Sequence, residues 1–227
     1  MKNSLLERAF IYRFLSLIFS YPEKEQLKEL MEALPDLKLS LDRTKIKFSV
    51  ESIDDLLLEA IKNPLNLKAE YVSLFEADPK APIRETSYEL DKTGRRVIEM
   101  ADLLGFYTAF GVEPREGTEP DHLSAELEFM SLLLQKEYHL NLSGNKEGAR
   151  IVSGATEEFL KNHLGRWYEI FSRTLIQTDV SKFYIEMGKF LKVFLDFETK
   201  NVKDLNKLKT FERERLEDGS RFECGFM

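Results

Sequence analysis

The chain has 227 residues, enough for one large domain or two small ones around a sizeable core. Hydrophobic residues make up 43% and charged residues 32%, the balance of a soluble globular protein. A formal charge of -7 and a pI near 5.3 argue against a nucleic-acid binder, which needs a basic face for phosphates, and favour a basic partner.

The N-terminal run MKNSLLERAFIYRFLSLIFS repeats apolar side chains at helical spacing over residues 4 to 19: Leu5, Leu6, Ala9, Phe10, Phe14, Leu17 and Ile18. Glu7, Arg8 and Arg13 interrupt it, which speaks against a signal peptide or a membrane span. The single cysteine, Cys224, allows neither an internal disulfide nor a zinc knuckle, so nothing marks an oxidising compartment. The expected location is the cytoplasm.

Tyr21-Pro22 ends the first helix, because the residue before proline is pushed out of the α region. A second helix is predicted over Lys24 to Ala33. Residues 36 to 50 alternate weakly (Leu37, Leu39, Leu41, Ile46, Phe48, Val50) but have no strand partner nearby, so they read as a loop. Ser52 starts another helix with Asp54 and Asp55 in its first turn, where acids suit the helix dipole. It stops before Pro64, and LNLKAEYVSLFEA continues as a further helix.

The stretch DPKAPIRETSYELDKTGR, Asp78 to Arg95, is a long polar loop of the kind that often carries function. Val97 to Phe110 is helical and closes at Gly111. Thr118 is placed to cap a helix over 119 to 139, with Asp121 completing the box. NLSGNK breaks the pattern at 141 to 146. Two more helices are predicted over Glu147 to Ile176 and Asp179 to Thr199, followed by a charged C-terminal helix and tail. The fold expected is all-α, a bundle of about nine or ten helices. It is read as one domain over 1–227, with a sub-domain hinge placed near 111–120 or 141–146.

The segment EPDHLSAELEFM raises the question of chemistry. Glu119 and His122 spell E-x-x-H, half of a di-iron bundle site, but neither His139 nor His163 supplies a second copy. A helical metalloenzyme using Glu119, His122 and Glu126 is therefore the weaker alternative. No nucleophile elbow, reactive-cysteine motif or glycine-rich phosphate loop occurs. As structural residues, Asp121 favours a helix first turn, and His122 with Glu126 forms an i,i+4 pair on a mostly apolar stripe. Tyr71, Leu74 and Phe75 have core spacing, or line a groove beside Pro82-Ile83-Arg84-Glu85. Arg95-Arg96 is a superficial twin-arginine match, followed by VIEMADLL with two acids, and reads better as a solvated helix start.

Taken together, these blocks resemble the TorD/DmsD-like family of redox-enzyme maturation chaperones. EPDHLSAELEFM is similar to the family's P-D-H start before an E-L-x-F-M helix. EYVSLF with PIRETSY resembles its E-Y-x-x-L-F and P-P-W-E-S-x-Y segments. FLKNHLGRWYEIF resembles F-L-x-x-H-L-x-x-W, and RAFIYRFLSLIFSYP resembles the N-terminal helix. The departures are Tyr71 for a tryptophan, Arg84 for a bulky aromatic, and one residue fewer between Pro120 and Asp121 than in the P-x-D-H form.

The resemblance implies an all-helical, cytoplasmic, non-enzymatic chaperone without a cofactor, acting as monomer or homodimer. Its partner would be the twin-arginine leader of a molybdopterin-dependent oxidoreductase subunit, held back from export until the cofactor is in place. Neither nucleic acid nor stable membrane insertion is implied. Leader recognition would map to Asp121, His122, Pro120, Tyr71, Leu74, Phe75 and Pro82. Elementary chemistry agrees, since two guanidinium groups and an apolar segment call for acids beside an apolar groove. Asp121, Glu126, Glu85 and Glu119 are the candidate acids, and Tyr71, Leu74, Phe75 and Phe129 the candidate apolar wall. The rival within the same family pattern is a scaffold that acts on the mature subunit only.

Overall fold

A computed structural model of the chain describes residues 4–88, 95–114, 117–205 and 207–208. Helix α1 (Leu5–Ile18) is apolar on nearly all sides and is buried accordingly, with Ile11, Tyr12 and Leu15 inaccessible. It packs most extensively on α7 (Leu123–Leu142), and α3 (Leu34–Thr44) lies against its other flank. Helices α8 (Lys146–Asn162) and α9 (Leu164–Ile176) continue from α7, and α10 (Lys182–Thr199) packs on α9. Helices α2 (Lys24–Glu32), α4 (Glu51–Lys62) and α5 (Pro64–Phe75) cover one end, while α6 (Arg95–Ala109) lies beside the start of α7. The described residues are thus all-α with ten helices, in line with the expected class.

One ion pair ties the central helix to the last one. Arg8 donates from Nε and Nη2 to the two Glu198 oxygens, at 2.7 and 2.6 Å, and Tyr12 adds its hydroxyl at 3.0 Å. An aromatic run crosses the core from Tyr88 through Trp167 and Phe171 to Phe75 and Tyr71, with ring centroids 5.0–6.1 Å apart. These edge-to-face and tilted contacts give the core a defined geometry beyond simple area burial. No described helix is long and apolar enough to cross a membrane.

The segment read as a loop over 36–50 is largely helical. The apparent alternation came from Leu39, which is 45% exposed, standing between the buried Leu37 and Leu41. The true pattern is Leu34, Leu37 and Leu41, a helical face that starts at Leu34, with Pro35 in its first turn, and ends at the left-handed Lys45. Residues 147–176 form two helices rather than one. The chain breaks at His163, which leaves helical geometry at φ -125° and ψ -103°. The start of α7 is Leu123, not 119, and its cap is His122 instead of Thr118. Where a charged C-terminal helix is expected after Thr199, residues 200–205, 207 and 208 are turns and irregular chain, and the remainder, Cys224 included, lies outside the described residues.

The break at His163 depends on Gly165. A Cβ at that position would collide with the Leu160 carbonyl oxygen and stand 2.9 Å from Leu205 Cδ1. Gly165→Ala should therefore lower stability by about 1–3 kcal/mol, the usual cost of overpacking, as read from the urea midpoint. An unchanged midpoint would show that the α8–α9 corner relaxes freely.

Candidate functional site

The Asp121-His122 pair is set in place by the loop that precedes α6. Residues 83–85 lie antiparallel to 121–123: Glu85 N–H donates to Asp121 O at 2.9 Å, and Leu123 N–H donates to Ile83 O at 3.0 Å. Ile83 and Leu123 are buried, which fixes the register. A short 3-10 turn, Glu85–Tyr88, then lets Thr86 donate its hydroxyl to Asp121 Oδ2 at 2.5 Å. Tyr88 closes the turn by donating to Pro82 O at 2.7 Å. Asp121 is fully buried by this clamp.

His122 works as a neutral side chain. Its Nδ1 accepts from Ser124 N–H at 3.2 Å, capping α7, and lies 2.7 Å from Ser124 Oγ. The proton therefore sits on Nε2, 3.2 Å from the Tyr71 hydroxyl, which in turn donates to Phe19 O at 3.3 Å. Burial, followed by the nearby Arg84 charge, pulls the imidazole down to about 4 against a smaller opposing pull from Asp121. This bonding pattern requires the neutral ring, and the environment supplies it.

Behind the pair lies a buried charge network that sequence reasoning did not assemble. Glu85, 1% exposed, accepts from His163 Nδ1 at 3.1 Å, while His163 Nε2 lies 3.1 Å from Asp102 on α6. Arg166, one turn further along α9, lies 3.7 Å from Glu85 and 3.4 Å from Glu99, also on α6. Glu126 faces the core and accepts from Trp167 Nε1 at 3.2 Å instead of pairing with His122. Burial lowers His163, but the Glu85 hydrogen bond and the surrounding acids outweigh it and leave the imidazole raised. Burial, then the charge of Glu85, holds the Glu126 carboxyl well above the usual carboxylate range. Glu85 is also raised, by burial first, against the pull of His163 and Arg166.

The structure brings the sequence-selected residues together, though in unlike roles. Asp121, Glu85 and Glu126 are buried and hydrogen-bonded inside the protein, so none of them presents a surface carboxylate to an incoming guanidinium. Tyr71, Leu74 and Phe75 are core residues, at 1%, 0% and 5% exposure, rather than an open wall. Glu119 is partly exposed beside Arg84, with 3.7 Å between the charged groups. Pro120 O accepts from the Tyr107 hydroxyl at 2.7 Å.

Among the described residues, Glu119, His122 and Glu126 do not form a metal-binding group, which overturns that alternative on geometry. Glu85, Glu99 and His163 do bring ligand atoms within 4.8 Å of one another. The Arg166 guanidinium, however, occupies the place a cation would take between the two glutamates. The signal for this cluster was the H-L-G-R-W spacing, which puts His163, Arg166 and Trp167 on one side of α9; their acidic partners come from three distant segments.

An open groove of about 240 Å³ lies beside this clamp. Tyr107, Val112, Phe129 and Leu132 give it apolar walls, and Glu113 and Glu128 give it acidic ones. Glu128 is paired with Arg13 at 2.5 Å, and Glu113 is exposed.

Residues 22–173 match the family described as nitrate reductase delta subunit, and the chain belongs to that family. This is the TorD-like group to which the sequence motifs pointed. The chain is 35% identical over 131 residues to a selenate reductase assembly chaperone protein of Thauera selenatis, and 33% identical over 130 residues to a chlorate reductase assembly chaperone protein of Ideonella dechloratans. Each match covers 55% of this chain and spans 64% of the relative's length. A crystal structure described as that of a candidate redox enzyme maturation protein from Archaeoglobus fulgidus is 22% identical, covering 84% of this chain and 93% of that one, with a TM-score of 0.47.

The depressed His122 makes a signed prediction. Its folded value, about 4, lies below the unfolded value, so the unfolded chain binds the extra proton. The contribution is complete above roughly pH 6.5 and lost as pH falls toward the folded value, by up to about 3 kcal/mol. The stability advantage of wild type over His122→Gln should shrink by that amount between pH 7 and 4 in urea titrations. A pH-independent difference would mean that the ring is not held neutral. Separately, Glu85→Ala strips His163 and Arg166 of a buried partner and should cost about 3–5 kcal/mol. A loss below 1 kcal/mol in denaturant titration would remove Glu85 from that role.

Proposed function

We propose that this chain is a cytoplasmic, non-catalytic assembly chaperone for a molybdopterin-dependent oxidoreductase, and that it binds the twin-arginine leader of the client's subunit. Holding the leader delays export until the cofactor is inserted. Membership of the delta-subunit family and the names of its two relatives support the assembly role. The observation that carries leader binding is the groove between the end of α6 and the start of α7, which joins acidic groups to apolar walls. A leader offers the complement: guanidinium groups followed by an apolar stretch.

The motif residues act on this groove by positioning its walls. Pro120 holds Tyr107 through the hydroxyl bond, and both Tyr107 and Ser124 line the groove. His122 fixes Ser124 at the helix start. Tyr71 holds Phe19 O, next to the lining residue Ser20. Asp121, Glu85, Glu126 and Pro82 hold the loop and α7 in register behind it. Leu74 and Phe75 fill the core beneath. The net charge of -7 speeds encounter with a basic segment and makes binding weaken with salt.

A second reading is favoured by the burial of Asp121, Glu85 and Glu126, which leaves those acids away from any ligand. In it the chain grips the mature subunit only, and removing the client's leader leaves binding intact.

The decisive experiment is calorimetric titration with twin-arginine leaders of molybdoenzyme subunits from the same genome, at two salt concentrations. Binding to one leader should vanish when its two arginines become alanine. Glu113→Lys, at an exposed site, should weaken it roughly ten- to a hundredfold, the loss of a charge-assisted contact. Absence of binding by every leader, with retained binding of a leaderless client, would establish the scaffold reading instead.

A further inference from the structure

The exposed side of α6 has no role in the groove, although α6 ends there. Leu103 and Tyr107 face the core, whereas Val97 is 73% exposed, Ile98 69% and Leu104 43%. Val97, Ala101, Leu104 and Thr108 recur at i, i+4, i+7 and i+11, so they form one continuous, largely apolar stripe, exposed throughout. Gly105 beside Leu104 is also exposed and has open space where a Cβ would point, which permits close approach. A stripe of this kind on a 15-residue helix is a surface that another helix can cover.

Its charges indicate which helix. The start of α6 reads Arg95-Arg96-Val97-Ile98, two arginines followed by two exposed apolar residues. The far end leads through Gly111 to Glu113 and the groove. The basic, leader-like start and the acidic groove therefore lie at opposite ends of the same helix. Eleven residues separate Arg96 from the lining residue Tyr107, a rise of roughly 16 Å along the axis, so α6 cannot fold its own start into its own groove. A second copy laid antiparallel along the stripe meets no such obstacle. Its start reaches this groove while this start reaches its groove, a two-fold arrangement in which each contact occurs twice.

We propose that α6 is a self-association surface whose occupant is a second copy of this chain, paired antiparallel through Val97, Ala101, Leu104 and Thr108, with Arg96 of each copy directed to Glu113 of the other. The proposal rests on the leader-groove reading, because the α6 start then stands in for the leader. One helix face is smaller than a standard interface, so the pairing is weak and reversible. An arriving leader competes with it, and the empty chaperone is the form that pairs.

The test is sedimentation velocity on the full chain, from about 5 to 500 µM, a range suited to a weak contact. Wild type should pass from monomer to dimer. Val97→Asp, at a position too exposed to disturb folding, should remain monomeric, and a bound leader peptide should dissolve the wild-type dimer. Where half of the wild type is paired, Val97→Asp should bind leader about twofold more tightly in apparent affinity. A wild type that stays monomeric, a dimer indifferent to Val97→Asp, or a dimer that survives saturating leader would each overturn the proposal. Leader binding by Val97→Asp keeps the two questions apart: if it binds, a failure of dimerisation sinks only the α6 surface. If neither protein binds any leader, the groove reading falls and the proposal falls with it.

Discussion

The arrangement around α7 depends on one buried carboxylate. Glu85 is drawn out of water beside His163 and Arg166, and its backbone N–H is bonded to Asp121 O in the same stroke. Through that residue a polar loop is joined to α9 and to the start of α7, and α6 is drawn in through Asp102 and Glu99. The bend at His163 belongs to the same constraint, since a continuous helix there would carry the imidazole away from Glu85. Gly165 provides the space for that bend.

Burying several ionisable groups is expensive, and the protein offsets the cost in two ways. Opposite charges are brought together, with His163 and Arg166 facing Glu85, Glu99 and Asp102. The remaining acid, Glu126, is pushed by burial toward its neutral form and accepts from Trp167. Directional bonds of this sort contribute orientation more than net stability. What they orient is the first turn of α7, whose next residues line the groove.

The same economy separates recognition from support. Asp121, Glu85 and Glu126 are held inside, and the acids that line the groove are Glu113, outside every motif block used to identify the family, and Glu128, which shares the EPDHLSAELEFM block with the buried Asp121 and Glu126. A groove whose walls are aligned by buried hydrogen bonds binds with less ordering cost than one built on loose side chains.

The sequence by itself determined the helical class, most helix positions and the family, and it singled out Asp121, His122 and Glu85, though not Thr86 or Tyr88, which complete the clamp. Those are local properties: apolar spacing, proline and glycine positions, and short motifs that survive without knowledge of what they touch. It misled at 36–50, where Leu39 imitates strand alternation, and at 163, where a helical pattern runs unbroken through a bend. It also placed Asp121, Glu85 and Glu126 on a surface, because a carboxylate in a sequence is a surface residue until a partner is known. Only the tertiary structure decided otherwise. Glu85, Glu99, Asp102, Glu126, His163 and Arg166 come from four distant segments, and whether a charge is buried depends on the partner that neutralises it, which no local pattern specifies.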